Sequence, residues 1–111
     1  MKTYSIEFTP AARRNIIKLE KGFQEDILRC IESLARNPRP KGTEKIGEFY
    51  RIHYNDFRIV YSVDDKTVVI LVLKVGDRKD IYKNQPTQVL KKTMKTTSRR
   101  FTLRDGEFHE K

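Results

Sequence analysis

Three basic side chains, Arg51, His53 and Arg58, alternate with apolar residues in a stretch that predicts two antiparallel strands. Asn55-Asp56 suits a two-residue turn between these strands, because both residue types tolerate a positive φ. That turn sets His53 opposite Arg58, and side chains directly across an antiparallel pair lie about 5 Å apart at Cβ. The residues that alternate with them predict a core face on the other side of the hairpin: Tyr50, Ile52, Tyr54, Phe57, Ile59 and Tyr61.

The next strand-like run, from Val68 to Val75, brings two more candidate residues to this basic patch. It returns antiparallel to the hairpin, so that its end lies near the hairpin turn. The residues that follow Gly76 can then fold over the patch, and they include an arginine and a tyrosine. The predicted site therefore consists of Arg51, His53, Arg58, Arg78 and Tyr82.

This set of side chains suits metal-free cleavage of RNA through the ribose 2′-hydroxyl. The reaction needs a base for that hydroxyl, cations for the charge that develops at phosphorus, and an acid for the leaving 5′-oxygen. Arginines stay charged and bind phosphate in a fork, and like charges around His53 should favour a neutral imidazole that acts as the base. Tyr82 offers a ring for an unpaired base and a hydroxyl for the substrate. A solvated basic sheet face with a packed tyrosine is the alternative interpretation.

Composition narrows the class of protein. The chain has 111 residues, enough for one small domain, and its net charge of +9 fits a polyanionic partner such as nucleic acid. Membrane surfaces and acidic proteins also fit that charge, but no apolar run approaches the roughly 20 residues that span a bilayer. The single cysteine, Cys30, excludes an internal disulfide and predicts a reducing cytoplasm. Because neither a metal-ligand spacing nor a phosphate-binding glycine loop is present, we expect no metal and no cofactor.

The predicted fold class is α+β. Thr9-Pro10 is typical of a helix start, and Gly22 is expected to break the helical pattern that follows. The element order is β-α-α-β-β-β, a two-helix hairpin packed on a small, mostly antiparallel four-stranded sheet in which the first strand pairs with the run from Val68 to Val75. The strand before Thr9 is predicted near residues 3–8, and the two helices over about residues 10–21 and 23–36.

Two basic segments lie outside these elements. The loop over residues 37–47 carries Arg39, Lys41 and Lys45 and is expected to be a solvated connector, with phosphate contact as the alternative. Residues 84–111 form a basic extension to a domain over residues 1–83. The extension is predicted to hold a short helix around Val89, Leu90 and Met94, and then either a flexible tail or an edge addition to the sheet. Asp105-Gly106 is a hairpin-type turn signal in that last part.

Two motifs, FYRIHYNDFRIVY over residues 49–61 and VGDRKDIY over residues 75–82, carry a family resemblance. The chain resembles the RelE/ParE superfamily of toxins from type II toxin–antitoxin pairs over about residues 2–83, and within it the RelE branch most. The resemblance implies a cytoplasmic, ribosome-dependent mRNA endoribonuclease that works without metal. It places the family's basic positions on Arg51, His53, Arg58 and Arg78, and its tyrosine on Tyr82. In the family the position of His53 is usually Arg or Lys, and that of Asp77 is often His.

The resemblance also implies partners: a cognate antitoxin, the 70S ribosome, mRNA in the ribosomal A site, and operator DNA through the antitoxin complex. Two other functions on the same fold stay open. One is a ParE-like inhibitor of DNA gyrase, which ranks second because that branch generally lacks this tyrosine and the full basic cluster. The other is a non-catalytic, nucleic-acid-binding co-repressor.

Overall fold

Two helices and seven strands make up the part of the chain that a computed structural model describes, residues 3–77 and 99–111. The helices are α1 (Pro10–Ile17) and α2 (Lys21–Ser33). The strands are β1 (Ser5–Phe8), β2 (Glu44–Ile46), β3 (Phe49–Tyr54), β4 (Phe57–Asp64), β5 (Val69–Asp77), β6 (Phe101–Arg104) and β7 (Glu107–Glu110).

The strands form a single sheet in the order β2-β3-β4-β5-β1-β6-β7. Only the β1–β5 pair is parallel among the described strands, with Ser5 opposite Val69 and Phe8 opposite Val72. The α+β class, the mostly antiparallel sheet and the pairing of the first strand are therefore confirmed. The prediction of four strands was wrong. The three strands it omitted, β2, β6 and β7, have only three or four residues each and form by pairing with a neighbouring strand.

The helix start at Thr9 forms as predicted. Its hydroxyl accepts a hydrogen bond from the Ala12 amide at 3.1 Å and donates one to the Leu73 carbonyl at 2.9 Å, so the cap also ties α1 to the sheet. The predicted break at Gly22 was wrong, because Gly22 lies in the first turn of α2. The chain instead leaves α1 after Ile17, and the Gln24 side chain donates to the carbonyls at that end of α1.

The helices cover one face of the sheet and bury the predicted core face of the β3–β4 hairpin. On the other side, which we call the outer face, a second buried cluster consists of Phe49, Val60, Leu71 and Leu73. Alternation along β3 and β4 places Arg51, His53 and Arg58 on this outer face. The main cluster, under the helices, contains Phe8, Ala12, Ile16, Ile27, Ile31, Leu34, Ile52, Ile59, Tyr61, Ile70, Val72, Val75 and Phe101.

The β6–β7 hairpin extends the sheet beyond β1. Its turn uses Asp105 at φ 54° and Gly106 at φ 78°, which confirms the turn signal at these residues. Phe101 stands opposite Phe8 in β1, and the Phe108 ring meets the Phe8 ring edge-on at 5.0 Å. Residues 101–110 are thus an edge addition rather than a tail. The predicted helix around Val89 and the domain division after residue 83 fall outside the described residues.

Neither described helix is long and apolar enough to cross a membrane.

Candidate active site

The β3–β4 hairpin sets the geometry of the site. Its register pairs His53 with Arg58, Tyr54 with Phe57 and Ile52 with Ile59, as the sequence predicts. The turn between the strands places Asn55 at φ 53°, in the left-handed region that asparagine tolerates. His53 and Arg58 therefore lie side by side on the outer face.

Arg58 is half-buried and has unused donor capacity. Its Nη1 donates to the carbonyl oxygens of Asn55 at 3.3 Å and of Phe57 at 3.2 Å, so its charge faces no carboxylate in those two bonds. Its Nε–H is buried and has no hydrogen-bond partner within the described ranges. Leaving a buried donor unpaired costs about 1–3 kcal/mol.

Arg51 has a different environment on the same face. It is buried, with 8% of its surface exposed, and its Nη2 donates to Glu44 Oε2 at 2.7 Å. Glu44 lies directly opposite Arg51 in β2. The hydrogen bond from Arg51 lowers the pKa of the Glu44 carboxyl below its ordinary value, and the nearby Arg58 guanidinium acts in the same direction. Glu44 thus compensates part of the positive charge of the patch.

Sequence analysis missed Glu44 because the segment before β3 was assigned to a connector. A usable signal was present, since Gly47-Glu48 forms a two-residue hairpin turn with Gly47 at φ 61°. Recognising that turn would have paired β2 with β3 and set Glu44 opposite Arg51.

The three basic residues of the connecting loop have separate environments. Arg39 pairs with Asp65 at 2.8 Å and donates to the Tyr50 hydroxyl at 3.1 Å, which makes it a structural clamp. Lys45 belongs to β2, opposite Tyr50. Lys41 is exposed and shares a groove of about 290 Å³ with His53, where a phosphate contact is feasible.

Cys30 lines the same groove, and burial raises the pKa of its thiol, which disfavours the reactive thiolate.

Arg78 and Tyr82, the other two predicted site residues, lie outside the described residues, so their place beside the patch stays a prediction. The strand that leads to them reaches the hairpin turn as predicted, but it runs to Asp77, two residues beyond the predicted end at Val75. Gly76 stands opposite Arg58, and Asp77 stands opposite Phe57 at the hairpin turn.

No group of three or more His, Cys, Asp or Glu side chains in residues 3–77 and 99–111 is placed to hold a metal ion. The described patch offers instead an exposed imidazole beside the half-buried guanidinium of Arg58. A second guanidinium, that of Arg51, lies two residues along β3 and is paired with a carboxylate. Such an arrangement can bind a phosphate oxygen and accept a proton close to it.

Comparison with known proteins identifies the family. The family described as "ParE toxin of type II toxin-antitoxin system, parDE" matches residues 6–82. The chain belongs to this family, within the RelE/ParE superfamily of toxins. The predicted superfamily is therefore confirmed, and the chain is a toxin of a type II toxin–antitoxin system.

Individual relatives carry RelE-type names. Toxin RelG of Mycobacterium tuberculosis is 29% identical over 85 residues, which cover 72% of this chain and 97% of RelG. The crystal structure of the intact Escherichia coli RelBE toxin–antitoxin complex matches with a TM-score of 0.61 and 27% identity, over 67% of this chain and 95% of that chain. The archaeal RelE–RelB complex from Pyrococcus horikoshii OT3 matches with a TM-score of 0.60 and 27% identity, over 68% and 96% of the two chains. The β6–β7 hairpin lies outside the family match.

Proposed function

We propose that this toxin is a metal-independent endoribonuclease that cuts mRNA on the ribosome by attack of a ribose 2′-hydroxyl. The observation that carries the proposal is the pair formed by His53 and Arg58 across the β3–β4 hairpin. Arg58 has a buried N–H that no described group accepts, and an imidazole able to take a proton stands beside it.

The roles of the residues follow from their environments. His53, which is exposed, takes the proton of the 2′-hydroxyl as its oxygen attacks the adjacent phosphorus. Arg58 stabilises the charge that develops on the phosphoryl oxygens, and Arg51 contributes less because Glu44 already pairs with it. The bond from phosphorus to the 5′-oxygen then breaks, and that oxygen takes a proton from Arg78 or Tyr82. The products are a 2′,3′-cyclic phosphate and a 5′-hydroxyl.

The RelE-type names of the similar proteins support the RelE-like activity and a cognate antitoxin as partner, since two of the similar structures are toxin–antitoxin complexes. The remaining partners in the proposal are the 70S ribosome, mRNA in its A site, and operator DNA through the antitoxin complex. The proposed location is the cytoplasm, where these partners are found.

Brief induction of the toxin in bacterial cells, followed by mapping of mRNA 5′ ends, tests the proposal. We expect new 5′ ends within coding regions, in phase with codons, within minutes of induction. A catalytically impaired variant is the matched control for secondary effects of slowed growth. Intact messages at a toxic level of the wild-type protein would contradict the proposal.

The description of the matching family favours a second candidate, the inhibition of DNA gyrase, because that family is named for ParE. A gyrase inhibitor would leave messages intact while replication stops and DNA damage accumulates. The same induction experiment separates the two candidates if DNA synthesis is followed alongside the mRNA ends.

A further inference from the structure

A bulge in β5 turns one further lysine toward the outer face. The register between β4 and β5 shifts by one residue between Val60 and Tyr61. Val60 stands opposite Lys74, while Tyr61 stands opposite Val72, so Leu73 is the extra residue of the bulge. Bulges of this kind bend a strand and re-aim the side chains beside it.

The buried neighbours fix the direction of Lys74. Val72 and Val75 both belong to the main cluster under the helices, although they are three residues apart in the strand. Without a bulge, alternation from Val72 would point Lys74 at the helices. The bulge instead leaves Leu73 and Lys74 on the outer side, where Leu73 joins the outer cluster and Lys74 stands beside Val60.

Lys74 thereby joins the basic patch from a third strand. Across β3, β4 and β5, Lys74 stands in the same row as Arg51, and Gly76 stands in the same row as His53 and Arg58. Because glycine has no side chain, β5 places no side chain directly beside Arg58. Lys74 is the diagonal neighbour of Arg58, and such neighbours lie about 7–8 Å apart, within reach of long side chains.

The charge of Lys74 is not neutralised by the described part of the chain. No carboxylate of residues 3–77 and 99–111 forms an ion pair with it, whereas Glu44 pairs with Arg51 in the same row. Lys74 is half-buried, and a half-buried lysine covers its apolar stem and keeps its ammonium in water. This ammonium is therefore available to an anionic partner on the outer face.

The position of Lys74 favours RNA as that partner. Neighbouring strands lie about 4.8 Å apart and each residue rises about 3.4 Å, so the Cα atoms of Lys74 and His53 are separated by about 12 Å. RNA carries one phosphate per nucleotide, so a strand whose ribose lies at His53 brings a neighbouring phosphate within reach of the lysine. Lysine binds phosphate as a point charge, without reading the base.

We propose that Lys74 binds a phosphate that neighbours the cut one, and that it holds the RNA on the outer face without taking part in the proton transfers. The inference deepens the proposed ribonuclease function and rests on it for the position of the RNA. It adds a substrate-binding residue that simple alternation along β5 would place on the other face.

Binding of RNA that cannot be cut tests the proposal independently of cleavage. A short single-stranded RNA with 2′-O-methyl riboses, which cannot be cut by 2′-attack, is titrated against the purified full-length toxin over a series of salt concentrations. Loss of one phosphate contact to a single strand should reduce the slope of log K against log salt by about 0.7. We expect this reduction in Lys74→Met, equally for every RNA sequence. Lys74→Arg should keep the wild-type slope.

Lys66→Met is the matched control, because it removes the same charge from the exposed turn at the other end of the β4–β5 pair. It should also keep the wild-type slope. Thermal unfolding of each variant checks that the fold is intact.

Cleavage on programmed ribosomes separates binding from chemistry. Lys74→Met should raise the toxin concentration that gives the half-maximal rate and leave the maximal rate close to that of the wild type. A lower maximal rate at an unchanged half-maximal concentration would assign Lys74 to the chemical step and overturn its proposed role in binding.

The outcomes distinguish failure of the phosphate contact from failure of the proposed function. If Lys74→Met and Lys66→Met have equal slopes, or if the wild type binds no RNA, the proposal for Lys74 is overturned, while codon-phased cuts in cells would still support the ribonuclease. An unchanged RNA slope with lost antitoxin binding would also overturn it. If Lys74→Met alone lowers the slope while no message is cut, the phosphate contact stands and the ribonuclease proposal fails.

Discussion

The two ends of the sheet hold their positive charges in opposite ways. At the β1 end, Lys111 pairs with Glu7 at 2.6 Å and Arg99 pairs with Glu110 at 2.5 Å. At the hairpin end, Arg58 donates to backbone carbonyls, which fix the guanidinium without neutralising it. The comparison teaches that the partner, rather than the residue type, decides whether a cation is neutralised within the fold or keeps its net charge. Arg51 is an intermediate case. It is paired with a carboxylate, Glu44, but Glu44 also interacts with the other basic residues of the patch, so it neutralises Arg51 only in part.

The largest expected effect is on stability, at the β1 end. Phe8 is fully buried between the main core and the rings of the β6–β7 hairpin. Phe8→Ala should lower the free energy of unfolding by about 3–5 kcal/mol, because a buried ring is lost and a cavity remains. Urea denaturation followed by circular dichroism measures this.

A comparison with Phe108→Ala sharpens that result, since Phe108 is only partly buried and should contribute less. Cleavage per folded molecule should be unchanged in both variants. A Phe8→Ala protein that unfolds at the wild-type urea concentration would mean that the hairpin does not complete the core.

The next effect falls on activity, at the hairpin end. Arg58→Ala should reduce mRNA cleavage on programmed ribosomes by roughly 100- to 1,000-fold, the range for removing one group that stabilises transition-state charge. Arg99→Ala at the β1 end is the matched control and should cleave normally, because that arginine is already paired with Glu110. If Arg58→Ala and Arg99→Ala lost equal cleavage activity, the effect would be a general one of positive charge. The two ends of the sheet would then not differ in function.

The smallest effect concerns the intermediate case, Glu44. Its folded pKa is lowered, so its ion pair stabilises the fold above the ordinary carboxyl pKa, and this contribution is lost as the pH falls through the lowered value. Glu44→Gln should therefore lower stability at pH 7 by less than about 1 kcal/mol, because the side chain is largely exposed and screened by solvent. Thermal unfolding from pH 7 to pH 3 should show the two proteins converging at acid pH. A difference that grows on acidification would contradict the assigned pairing.

Sequence analysis predicted the part of the molecule that depends on local patterns. Strict alternation with Asn55-Asp56 at the turn gave the register of His53 and Arg58, and Thr9-Pro10 gave the start of α1. The pairing of β6 with β1 was left open, because it joins residues far apart in the chain. Glu44 escaped notice for a related reason, because it acquires its role only through a tertiary neighbour, Arg51.

The central claim is that the hairpin end of the outer face promotes attack by a ribose 2′-hydroxyl. Ribosomes programmed with a message that carries a single 2′-deoxyribose at the mapped cut site test it most directly. The account predicts a 2′,3′-cyclic phosphate on the cut all-ribose message and no cut at the deoxy position. A cut that persists at the deoxy position, or one that leaves a 3′-hydroxyl, would contradict it.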